Sequence, residues 1–157
     1  MKRNSTKTLK WLAGAVIIFG ALYVLMLGSQ TYGFFTGNTI QQAVWTDGVK
    51  FLQGSIAIFR FIGAAAFFAL ILAFIINSIK AMTDGILFPR NNTKLLLWSA
   101  AASFVFLFCN SNINNMHQGI KTIQFTFMEI IVPVMICIFA VIYKVAVRVC
   151  EENRLTV

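Results

Sequence analysis

The stretch Thr83-Asp84-Gly85-Ile86-Leu87-Phe88-Pro89-Arg90-Asn91-Asn92-Thr93-Lys94-Leu95-Leu96 decides how the rest of the chain is read. It holds the one proline that lies outside an apolar run, a glycine near its start and an Asn-Asn pair. Two long apolar runs precede it and two follow. Punctuation of that strength, closed by a leucine pair, marks a turn that hands over to a helix. Phe88 and the leucines also give the turn an apolar face. That face fits a docking loop, and it equally fits a connector that skims a bilayer with an interfacial aromatic.

Outward from this hinge the chain reads as four membrane spans. Hydrophobic residues make up 59% of the sequence and charged ones 11%, against about 45–50% apolar and about 25% charged in a soluble domain. The apolar runs cover about 11–28, 56–79, 95–110 and 123–143. Between them lie loops 29–55 and 111–122 on one side and loop 80–94 with tail 144–157 on the other. Backbone polar groups inside a bilayer must be satisfied within the segment, and the runs have helical length. The expected fold is therefore an all-α, integral membrane, antiparallel four-helix bundle forming a single domain over 1–157. The first run is longer than the apolar core of a signal peptide and has no clean cleavage site after it, so it reads as a retained helix. The third is short for a bilayer and must borrow from its flanks.

Thirteen basic residues fix the expected orientation. Lys2, Arg3, Lys7, Lys10, Lys80, Arg90, Lys94, Lys144, Arg148 and Arg154 fall on the side of the termini and hinge; Lys50, Arg60 and Lys121 fall opposite. Ten against three favours a cytoplasmic N-terminus, hinge and tail, in a cytoplasmic (inner) membrane. The net charge of +8 does not indicate direct nucleic-acid binding, because the basic residues sit at the ends of apolar runs and not on one exposed face.

Within the spans, Gly20, Val24 and Gly28 share a face that allows close approach. Ala65, Ala69 and Ala73 form a smooth stripe, and Ser99, Ala102 and Ser103 are its expected partners. Loop 29–55 is dense in aromatics, from Tyr32 through Trp45 to Phe51, which suits a headgroup-level belt or the lid of a pocket. Residues Thr39 to Phe51 could also form a short interfacial helix.

Little of the chain carries chemistry. Its five acids, Asp47, Asp84, Glu129, Glu151 and Glu152, contain no pair placed for acid–base work, and no nucleophile elbow or phosphate loop is present. The expectation is a protein without enzymatic activity. Three cysteines without a CxxC spacing and a lone His117 supply no metal site, and no cofactor is implied. The exceptions are Arg60 and Glu129, ionisable residues inside spans and hence functional candidates. Both stand a few residues inward from the same face, so an intramembrane charge pair is expected. The alternatives are Arg60 snorkelling alone to the headgroups and a neutral Glu129 suited to proton coupling; a small transporter or ligand-binding module using Arg60 and Glu129 is the alternative function.

The hinge residues Gly85, Phe88, Asn92 and Leu96 fit a pattern G-x-x-F-x-x-x-N-x-x-x-L, and the chain finishes Glu152-Asn153-Arg154-Leu155-Thr156-Val157. Both features resemble a bacterial tetraspan family catalogued as domain of unknown function 2975, which usually has an acid where this chain has Arg154. The resemblance implies a membrane partner of a small cytosolic helix-turn-helix regulator. Contact would run through Gly85, Phe88, Asn92 and Leu96 of the hinge and Asn153, Leu155 and Thr156 of the tail.

Overall fold

The computed structural model describes residues 2–37 and 45–155. Four helices account for nearly all of them: α1 (Lys2–Thr36), α2 (Lys50–Thr83), α3 (Asn91–His117) and α4 (Phe127–Leu155). No strand occurs among the described residues. All four are long and apolar enough to cross a membrane, the composition of a multi-pass membrane protein.

Helix boundaries differ from the sequence reading mainly in the loops. The asparagine-rich residues after Cys109, expected as loop 111–122, continue α3 as far as His117. The third helix thus reaches 27 residues, about 40 Å at 1.5 Å per residue, and is not short. Polarity at a helix end was mistaken for a loop. Likewise α1 runs to Thr36 and α2 starts at Lys50, which shortens loop 29–55 from both sides. Of the suggested interfacial helix, 39–44 lie outside the described residues, and 45–49 are turn, not helix.

Both short connections end their helices in the same way. Gly85 takes φ +76, with Gly85 N donating to Met82 O and Ile86 N to Ala81 O. Gly119 takes φ +83, with Gly119 N donating to Met116 O and Ile120 N to Asn115 O. These are paired Schellman closures, in which a left-handed residue turns the chain back on the last carbonyls.

The helices are antiparallel and pack in chain order. α2 and α3 form the most extensive contact, α3–α4 follows, and α1 lies against α2. α1 and α4 do not pack on each other among the described residues, so the bundle is open on one side. At the centre of the α2–α3 seam, a Cβ added to Gly63 would stand 2.9 Å from Phe106 N. This is a true backbone approach. It corrects the expected Ala65, Ala69, Ala73 stripe: Ala69 is exposed, whereas Ala57, Gly63 and Ala64 are buried. Four-residue spacing alone does not say which face a helix buries. Ser99 and Ser103 are buried as expected, each donating to its own helix, to Leu96 O and Ala100 O at 2.8 Å. The glycine face of α1 admits rings and not a backbone: Gly20 lies under Phe68, and a Cβ on Gly28 would meet Phe61 at 3.2 Å.

Two ends of the bundle result. The hinge end carries residues 84–90 and the start of α1 and end of α4. The far end carries the end of α1, residues 45–49 and residues 118–126.

Candidate functional site

At the far end, buried polar groups are tied together. Gln53, fully buried on α2, accepts the Thr46 amide through Oε1 at 2.8 Å, and its Nε2 lies 3.4 Å from His117 Nδ1. Thr46 Oγ1 donates to Met116 O at 2.6 Å. Phe34 covers this network, with Trp45 at 4.0 Å, Phe35 at 5.6 Å and His117 at 6.0 Å between ring centroids. Of the aromatics expected as a belt or lid, Phe34 and Trp45 pack over the α2–α3 seam, whereas Tyr32 and Phe51 are exposed. Asn112 performs a second closure. Its Nδ2 donates to Gln124 O at 2.9 Å and its Oδ1 accepts Gln124 N at 2.8 Å, so one side chain clamps the backbone of the loop in both directions.

That clamp sets the level of α4. With Gln124 held beside Asn112, α4 begins three residues later, and its first turn comes level with Cys109, one turn away from Asn112 on α3. Across the bundle, Gly63 faces Phe106, which brings Arg60 level with Cys109; Gly28 faces Phe61, which brings Gln30 level with Arg60. A polar layer therefore runs through the four helices, one residue from each: Gln30, Arg60, Cys109 and Glu129.

The expected Arg60–Glu129 ion pair is not formed. The ion pairs among the described residues are Lys50–Asp47 at 3.7 Å and Arg148–Glu152 at 3.5 Å, both on the surface. Arg60 instead donates from Nη2 to Gln30 Oε1 at 3.3 Å, and its buried Nε has no acceptor. Glu129 is 1% exposed, and neither carboxyl oxygen has a hydrogen-bond partner. The physical reason is the order of the helices. α2 and α4 are separated by α3, which packs on both. Depth matching placed the two residues correctly relative to the layer but ignored what stands between them.

At the hinge end, the proposed contact residues divide. Asn92 is fully buried at the start of α3, donating from Nδ2 to Ser78 Oγ at 2.8 Å and Phe74 O at 3.3 Å. It is an internal tie between α2 and α3, which corrects its assignment to a partner surface. Tyr143 of α4 packs edge-on against Phe74 at 5.7 Å and Phe88 at 5.5 Å, and its hydroxyl donates to Pro89 O at 3.4 Å. Leu96 is half-buried. Gly85, Phe88 and Asn153 remain together, lining one groove of about 520 Å³ with Leu87, Arg90 and Val147. Leu87 is 63% exposed and Phe88 36%. The side chain of Leu155 and all of Thr156 lie outside the described residues.

Sequence reading missed Gln53, Asn112, Tyr143 and the layer members Gln30 and Cys109. One available signal was Thr126-Phe127-Met128-Glu129, the spacing of a helix-capping box, which would have placed Glu129 in the first turn of α4. The box is not closed through its carboxylate, whose oxygens remain unpartnered. Compared with family models, curated proteins and solved structures, the chain finds no match.

Proposed function

We propose that this is a membrane-embedded, non-enzymatic regulatory partner of a small cytosolic helix-turn-helix protein, with both termini and the hinge in the cytoplasm. The observation that carries the reading is the groove in which Gly85 and Phe88 of the hinge meet Asn153 of α4. Residues far apart in sequence share one concavity, with an exposed Leu87 and Phe88 beside Arg90. Apolar anchors next to a hydrogen-bonding or charged group suit a small interface with few dominant contacts. The excess of basic residues on this side supports its cytoplasmic placement, as the resemblance of hinge and tail to a tetraspan family supports the kind of partner. The test is recovery of cytosolic regulators on the detergent-solubilised protein. Wild type is expected to retain a partner that Phe88→Ala and a chain truncated after Glu152 release; equal recovery by all three removes the reading.

A second reading has its own observation. A buried carboxyl with no partner is costly in an apolar setting, and Glu129 is one. It supports a small transporter or ligand-binding module centred on the polar layer. Solute flux in vesicles that disappears in Glu129→Gln, without any cytosolic partner, would place this reading first.

A further inference from the structure

We propose that Glu129 is the centre of a binding site for one small monovalent cation. The proposal rests on the second reading above and gives it a ligand class.

Three features converge on this residue. Both carboxyl oxygens are buried and unpartnered, although the carboxyl is among the most enclosed side chains of the described residues. The only cationic side chain in its layer, Arg60, is engaged with Gln30 on the opposite flank and forms no ion pair with it. The second feature is main-chain. Pro133 lies inside α4 four residues after Glu129, and a proline has no N–H to return to the carbonyl at i−4. The Glu129 main-chain oxygen therefore lacks its usual i+4 donor, one turn before the proline. The third feature is position. Glu129 occupies the first turn of α4, directly after residues 121–128, all of which are exposed. The carboxyl is thus borne within one helical turn of exposed chain.

Charge sets the class of ligand. The layer it shares with the neighbouring helices holds Cys109 on α3 and, beyond it, Arg60 on α2. No second acid joins Glu129 in the layer, so one negative charge meets one cation. A divalent ion would leave an excess positive charge next to a buried guanidinium, in surroundings where such interactions are weakly screened. The shared chemistry is a monovalent cation held by oxygen, either a proton or an alkali ion.

The experiment uses the full chain in lipid nanodiscs, followed by infrared difference spectroscopy of the carboxylate stretch. One arm varies pH at constant salt. The other exchanges choline for sodium or potassium at constant pH. A carboxylate change in the first arm alone identifies the proton; a change in the second identifies the alkali ion. The Glu129 contribution is the part of the response that Glu129→Gln, which keeps the shape and removes the charge, loses while the exposed Asp47, Asp84, Glu151 and Glu152 keep theirs, and it is expected to persist in weakened form in Glu129→Asp. Arg60→Gln, which removes the nearby positive charge, is expected to tighten the response roughly tenfold. Silence in both arms, or a response that is the same in Glu129→Gln as in wild type, overturns the site. Competition by calcium or magnesium at equal concentration overturns its monovalent character. A response tied to Glu129 without solute flux supports the site while removing the transport reading.

Discussion

Gln53 and Glu129 are both buried acceptors in the far half of the bundle, and they differ in almost every other respect. Gln53 receives the Thr46 amide and reaches His117; Glu129 reaches nothing. The first is a structural tie, because its hydrogen bonds close a loop over the α2–α3 seam. The second cannot be explained as a tie, because a buried polar atom without a partner costs stability. The contrast separates residues that hold this fold together from a residue the fold tolerates.

The largest expected effect tests the first half of the contrast. Gln53→Leu strands the Thr46 amide in an apolar cap and should lower stability by about 3 kcal/mol, read as an earlier unfolding transition in detergent. Wild-type stability for this variant would erase the distinction. Glu129→Leu should move in the opposite direction, since replacing an unpartnered buried carboxyl with a well-packed apolar side chain removes a desolvation cost. A gain of about 2 kcal/mol is expected, together with loss of any cation response. A destabilised Glu129→Leu would mean that the carboxyl is a tie after all.

The hinge sharpens the comparison at smaller scale. Gly85→Ala forces a Cβ into φ +76 and should cost about 1 kcal/mol in the same unfolding assay. Phe88→Ala loses one edge contact with Tyr143 from a partly exposed site, so about 0.5 kcal/mol is expected. Its effect on partner recovery should far exceed that change. A Phe88→Ala variant that unfolds early would instead make the ring part of the packing, as Asn92 proved to be.

The number and approximate location of the helices were legible because twenty-residue apolar runs have few other uses. Their ends were less so, since Asn110 to His117 are polar yet helical. The polar layer was half legible. Arg60 and Glu129 stand out in any apolar run, but their separation by Cys109 depends on the order in which helices pack, which no periodicity encodes. Gln53 and Asn112 were invisible for a related reason: a single amide looks the same in a loop as in a clamp until its partner, distant in sequence, is known. Asn92 shows the converse. A conspicuous motif residue at the hinge was read as surface, and it is an internal tie.

Because each helix packs on the helix before it in the chain, assembly does not have to wait for the end of synthesis. α1 and α2 can pair while α3 is still emerging, and α3 then meets α2 at Gly63 before α4 exists. Such a sequence of local pairings keeps contacts short-range and favours rapid folding. A nascent chain halted after α3 should already form an α2–α3 crosslink between cysteines placed at Ile56 and Ile113, which share one buried cluster. Absence of that crosslink until α4 has been made would show that the last helix, with its clamped first turn, is what sets the others in place.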